Sequence, residues 1–221
     1  MPALTRPLLQ PLGERALVVR FGSALDDLAN SRAIGLAERI AHSGIEGVED
    51  VTPGLVSVLV SYDPRRIAFF RLSGEIALLA DQTDCQVRAP AAHSLEVRYG
   101  GAAGPDLEHV AQFLGLSVDA FIAAHGEDSL RVLAIGFAPG FAYCGFHPEA
   151  LTIPRRRAVR QSVPAGSILF AARQTAVAAT EIPTGWHVIG RTATPTLTLD
   201  TNAANCLLTP GDSVRFEEAI S

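Results

Sequence analysis

Residues 136–192 read GFAPGFAYCGFHPEALTIPRRRAVRQSVPAGSILFAARQTAVAATEIPTGWHVIGRT, and the second half of the chain is read from them. Glycines and prolines alternate with aromatics, four arginines cluster, and the only tryptophan stands near the end. A long segment of this kind costs chain entropy unless packing or function holds it. Loops carried on a rigid scaffold are where sites are usually built. The chemistry is therefore sought here.

Around this stretch the pattern is one of short strands and turns. Residues 130–135, 167–171, 175–179, 187–190, 196–199 and 213–216 read as strands punctuated by Gly and Pro, which predicts a barrel or sandwich. Upstream, 93–99 alternates cleanly, with Leu95, Val97 and Tyr99 on one face. A short helix over 106–114 turns Leu107, Val110, Ala111 and Leu114 inward and stops at Gly115; Ser117 caps a second that ends at His125 and Gly126. Residues 89–92, APAA, read as a joint.

The first part is a small α+β unit. Residues 15–21 form a β-rich run, and Ser23 precedes a helix with Ala29, Ala33, Leu36, Ala37 and Ile40 on one face, capped by Gly44. Strands at 48–52 and 55–62 flank the turn dipeptide Pro53–Gly54. A helix over 66–81 places Leu72, Ile76 and Leu79 in register, and 85–88 is expected to return as a strand. The order β-α-β-β-α-β matches the ferredoxin-like split motif. The expected domains are 1–88 and 93–221.

Composition narrows the function. The 221 residues, 48% hydrophobic and 19% charged, fit a soluble globular protein that removes roughly 70% of its unfolded surface from water. No run approaches the roughly 20 apolar residues of a membrane span, and no signal peptide is evident, so a cytoplasmic location is expected. A net charge of −5 argues against nucleic acid as a partner. Cys85, Cys144 and Cys206 lie far apart and form no CxxC pair, so neither a zinc site nor a disulfide framework is expected. All 18 basic residues are arginine. Without lysine the chain can supply neither a Schiff base nor a Walker-A loop.

Within residues 136–145, glycine permits close backbone approach, while Phe137, Phe141 and Tyr143 offer flat apolar walls. A tight connection packed by its own aromatics is the plainer reading. The spacing does not match GxGxxG before a helix. Arg155, Arg156, Arg157 and Arg160 form a cluster that can hold carboxylate or phosphate, or can simply be a solvated basic loop. Gln174, Thr175, Trp186 and Arg191 are scattered, but a barrel can gather them. Among His42, His93, His109, His125, His147 and His187 no HExxH spacing occurs, so no metal site is expected. His93 begins a strand after the joint and is the candidate acid or base. Cys144 lacks the context of a nucleophile, and Asp106 at a helix start reads as a cap.

These motifs together resemble a known family. Gly136-Phe137, Pro139-Gly140-Phe141 and Tyr143 resemble its GFxPGFxYLGG. Pro154-Arg155-Arg156, Arg160 and residues 163–167 resemble PRRxxPRxxVPAGSV. Gln174-Thr175, Gly185-Trp186 and 189–192 resemble QTGIYPxxSPGGWxxIGRT, and 210–216 resemble its closing PGDxVxF. His93, Val97, 99–101 and 104–107 resemble HxxPVxYGGxxGPDL. The family is that of the 5-oxoprolinase B subunit, also called allophanate hydrolase subunit 1, which includes sporulation-kinase inhibitors.

The resemblance implies an N-terminal ferredoxin-like domain and a C-terminal cyclophilin-like β-barrel. It implies action with two protein partners, a homologous C subunit plus an A subunit, to open the lactam of 5-oxo-L-proline to L-glutamate with ATP, and Mg held largely by partners. A lactam carbonyl is a poor electrophile; phosphorylating its oxygen creates a leaving group and admits water. The alternatives are half of a biotin-dependent carboxyltransferase, as in urea carboxylase, and a histidine-kinase inhibitor without turnover. On this reading His93, Arg160 and Arg191 are catalytic. Phe137, Pro139, Gly140, Phe141, Tyr143, Arg155, Gln174, Thr175 and Trp186 bind substrate in one anion-accepting hollow. The chain departs from the pattern at Ala142, Cys144 and Phe146, at Val159, across 178–181 and at Thr184. Such changes in a pocket wall leave the substrate open.

Overall fold

A computed structural model describes residues 6–81, 89–200 and 203–219, which belong to two compact units, 1–89 and 90–221. The first unit contains β1 (Leu8–Pro11), β2 (Ala16–Arg20), α1 (Asp27–Ser43), β3 (Val48–Pro53), β4 (Ser57–Tyr62) and α2 (Phe69–Ala80). Its antiparallel sheet has the order β1-β2-β4-β3. Alternation along β2 and β4 turns Leu17, Val19, Val58, Val60 and Tyr62 to one face, where Leu36 and Ile40 of α1 and Leu72 and Ile76 of α2 join the same core. Helix α1 starts one turn later than Ser23 suggested. Asp26 accepts a hydrogen bond from the Ala29 N–H at 2.8 Å and caps it, and Gly44 closes it in the left-handed region.

The edge beside β2 is taken by β1, a strand the pattern did not announce. The expected strand at 85–88 lies outside the described residues. The unit is thus a four-stranded sheet with two helices, carrying β-α-β-β-α of the expected order.

The second unit contains β5 (Ala92–Tyr99), α3 (Leu107–Phe113), α4 (Val118–Gly126), β6 (Leu130–Ile135), β7 (Ala142–Gly145), β8 (Arg160–Val163), β9 (Ser167–Ala171), β10 (Gln174–Val177), β11 (Ile182–Thr184), β12 (His187–Arg191), β13 (Leu197–Asp200), β14 (Ala203–Cys206) and β15 (Ser213–Glu218). Seven strands close a barrel in the order β10-β7-β6-β15-β5-β12-β9. Leu95, Val97, Val132, Phe170, Ile189, Val214 and Phe216 fill it, with Val110 of α3 and Phe121 of α4 in the same core.

The stretch 136–192 is therefore not one long loop. It supplies four barrel strands (β7, β9, β10, β12) and the ribbon β8–β11 outside them. Strands β9 and β10 are buried on both faces, so they show no alternation to read. Ile168 and Phe170 look into the barrel, while Leu169, Ala171 and Ala176 meet Phe141, Val163, Ile182 and Trp186 in a second apolar layer outside it. No single helix among the described residues is long and apolar enough to cross a membrane.

Candidate functional site

Two hollows lie on the second unit. The smaller, about 250 Å³, is an aromatic cup lined by Phe137, Phe141, Tyr143, Arg155 and Trp186, with Val159 and Thr184 at its rim. Successive ring centroids lie 5.4 Å (Phe137–Phe141), 4.8 Å (Phe141–Tyr143) and 6.0 Å (Tyr143–Trp186) apart, edge to face. The Arg155 guanidinium stands 5.4 Å over the Trp186 ring, a cation–π contact. Burial raises the Tyr143 pKa against the opposing influence of Arg155, so the phenol stays protonated at neutral pH. Phe137 is 70% exposed and holds φ at 75°, a left-handed backbone rare for a bulky residue.

The larger hollow is an open cleft of about 1120 Å³. Its floor is the outer face of β5 and β12, where Glu96, Arg98 and Arg191 stand; residues 100–105, 160–167 and 192–197 contribute to its walls. Two glycines bring those walls to the barrel. A Cβ on Gly104 would sit 2.0 Å from the Ile189 carbonyl oxygen, and one on Gly166, at φ +82°, would sit 2.3 Å from that of Thr192.

Asp106 fixes the ground between these features. Its carboxylate accepts the Val188 N–H at 2.8 Å, Arg160 Nη2 at 2.9 and 3.1 Å, and Arg156 Nη1. Burial alone would raise its pKa, but the Val188 N–H and the two guanidiniums outweigh burial and hold it below the usual carboxylate range. Asp106 makes no side-chain cap bond; it is an anchor for two arginines rather than a helix cap.

The single hollow expected from sequence is corrected to two. Tyr143 lines the cup, Arg160 and Arg191 line the cleft, and no described residue lines both. The ribbon divides them: Val159 borders the cup and its neighbour Arg160 borders the cleft. Arg160 spends its Nη2 on Asp106, whereas Arg191 uses only Nε, donated to the Ala165 carbonyl at 2.9 Å.

Five expected site members lie elsewhere. His93, 17% exposed at its side chain, lines neither hollow and meets Asp212 Oδ2 through Nε2 at 3.2 Å. Asp212 also accepts the Ala91 and Thr209 N–H groups, so the pair ties down the start of the barrel. Gln174 and Thr175 belong to a buried strand. The Thr175 hydroxyl joins His125 Nε2 and His147 Nε2, each at 2.8 Å, and His125 Nδ1 meets the Tyr99 hydroxyl at 2.7 Å. Of the turn at 139–140, Pro139 is exposed and Gly140 is buried against Ala179 and Leu197; neither lines the cup.

The departures sort the same way. Ala142 and Cys144 sit in the barrel core, where burial pushes the Cys144 thiol up to about 12 and leaves it inert. Phe146 lines neither hollow, so it does not narrow them. Thr184 does reach the cup, where its hydroxyl accepts the Trp186 N–H at 3.0 Å. Arg98 escaped the sequence reading, although alternation along 93–99 already placed it opposite the buried Val97.

Residues 7–208 match the model of the carboxyltransferase domain, subdomains C and D. The chain is 32% identical over 222 residues to the B subunit of 5-oxoprolinase from Bacillus subtilis, covering 94% of this chain and 91% of that one. It belongs to the 5-oxoprolinase B-subunit family. The crystal structure of TTHA0988 superposes with a TM-score of 0.83 at 34% identity, covering 94% of this chain and 41% of TTHA0988. The urea amidolyase of Kluyveromyces lactis shares the fold, with a TM-score of 0.77 at 15% identity over 99% of this chain and 16% of that enzyme. The motifs that carry membership of the B-subunit family are thus divided between cup, cleft and barrel wall.

Proposed function

We propose that this chain is the B subunit of a 5-oxoprolinase, opening 5-oxo-L-proline to L-glutamate with ATP together with a homologous C subunit plus an A subunit. The observation that carries the reading is the likeness to the 5-oxoprolinase B subunit over 94% of the chain. The geometry supports a subunit that binds rather than one that completes a reaction. Arg191 in the cleft offers a guanidinium for the carboxylate of the substrate, while the cup with Arg155 is a separate hollow with flat apolar walls. His93, turned to Asp212, takes no part in proton transfer on this reading.

ATP, with its Mg, is assigned mainly to the partners. Among the described residues no group of three or more His, Cys, Asp or Glu side chains is placed to hold a metal ion. Phosphates meeting this chain would meet arginine and backbone N–H groups, since it has no lysine. A carboxyltransferase half is the second reading, favoured by the description of the matched family model.

Co-purification with the products of adjacent genes, followed by an assay of 5-oxoproline-dependent ATP cleavage, tests both. The expected result is glutamate and ADP formed only by the assembled complex. A complete complex that ignores 5-oxoproline, but carboxylates a substrate when given carboxybiotin, replaces the first reading with the second.

A further inference from the structure

Arg98 and Arg191 are direct partners across the antiparallel β5–β12 ladder. Both are exposed and both line the cleft. Like charges set opposite one another in a sheet repel. Among the described residues neither guanidinium has a carboxylate within ion-pair distance, although Glu96 stands two residues from Arg98 on the same face of β5 and Glu217 is the register partner of Glu96 on β15. The acidic residue of the cleft floor is Glu96, while Asp106 is already taken by Arg156 and Arg160. A chain of net charge −5 thus concentrates two unpaired cations on one floor. The buried Thr196 lines the same cleft, and its hydroxyl has no hydrogen-bond partner among the described residues.

We propose that Arg98 and Arg191 form a two-arginine receptor for one oxyanion, a carboxylate or a phosphoryl group, and that Arg98 is a binding residue of this cleft. A guanidinium offers N–H donors in a fixed fork matched to such oxygens, and two forks facing one another clamp a single anion between them. The anion in turn removes the repulsion across the ladder, so occupancy stabilises the strand pair. The receptor rests on the 5-oxoprolinase reading only in naming 5-oxoproline, whose carboxylate is such a group; the cleft and its charges do not depend on it.

The test uses the full chain at low ionic strength, titrated calorimetrically with inorganic phosphate and, separately, with acetate. Either anion is expected to bind once per chain, and the one that binds identifies the geometry preferred. Arg98→Gln and Arg191→Gln are each expected to weaken that binding about tenfold, the loss of one charge-assisted contact pair. Arg215→Gln removes an equal charge from an exposed position outside the cleft and is expected to stay within about twofold. Wild-type protein that binds neither anion overturns the receptor, as does Arg98→Gln that binds like wild type or Arg215→Gln that weakens as much. A complex that turns over 5-oxoproline while Arg98→Gln binds normally sinks the receptor alone. Intact, Arg98-dependent anion binding in a complex inert to 5-oxoproline upholds the receptor and sinks the assignment of substrate.

Discussion

The cup and the cleft are built in different ways. The cup draws its walls from residues 137–186 and rests on a packed apolar layer; its Phe141, Tyr143 and Trp186 rings are also part of that layer. The cleft draws its floor from two barrel strands distant in sequence and carries its charges on the outside, where packing does not need them. Changes at those three rings should therefore cost stability as well as binding. Changes on the cleft floor should cost binding alone.

Trp186→Ala breaks this comparison most severely if it is wrong. The indole is buried against Val163, Leu169 and Ile182 and forms the back of the cup. Its removal is expected to cost about 4 kcal/mol in chemical denaturation. A loss under about 1 kcal/mol, on the scale of a surface change, would mean the second layer packs loosely and the cup is a mere surface feature.

Asp106→Ala comes next. It strands Arg156 and Arg160 and leaves the Val188 N–H without its acceptor, and Arg160 and Val188 line the cleft. The expected cost is about 3 kcal/mol, the lower end of the range for breaking a buried ion pair, since the arginines keep about a third of their exposure.

How much of this was legible follows from the same contrast. The cup could be found in sequence because its residues lie in one stretch with distinctive aromatics and glycines. The cleft could not, because Arg98 and Arg191 meet only through the β5–β12 register, which no local pattern specifies. Strand β5, with one wet face, announced itself by alternation, while β2 was legible as a β-rich run and β4 from the turn dipeptide before it. Strand β10 is wrapped on both sides, and Gln174 and Thr175, expected at the site, stand on it as buried barrel residues. His93 was sought at a cleft because it follows the joint; its partner Asp212 lies at the far end of the chain, and only folding brings the two together.

The barrel interior supplies a third term in the comparison, testable by pH. His125 is fully buried and His147 nearly so; burial lowers both pKa values, helped for His125 by the neighbouring His147 and for His147 by the Arg173 cation, which brings His147 to about 4. The unfolded chain takes up these protons near the ordinary histidine value, about 6.5, where the folded chain does not. Stability from this source is full above about 6.5 and is lost as pH falls toward 4. Asp106, with its pKa lowered, acts in a lower window, losing its contribution only as carboxylates protonate. Thermal melts between pH 8 and 4 should therefore fall steadily below about 6.5, and His147→Gln should flatten part of that slope. An unchanged slope in the variant would remove His147 as its source.

The smallest effect is expected at the rim of the cup. Phe137 holds a backbone angle that glycine adopts freely, and its ring is mostly in water apart from the edge contact with Phe141. Phe137→Gly relieves the strain of the left-handed region, about 1 kcal/mol. It also loosens the unfolded chain, which offsets that gain by a similar amount. Stability should thus move by less than about 0.5 kcal/mol, while the cup loses one wall. If the ring is kept for binding, the variant should leave the melting curve alone and weaken 5-oxoproline turnover in the assembled complex, through a raised KM with kcat retained. Normal KM with normal stability would mean that the ring serves neither folding nor substrate, and the cup would then reduce to Phe141, Tyr143, Trp186 and Arg155, the members whose packing already explains them.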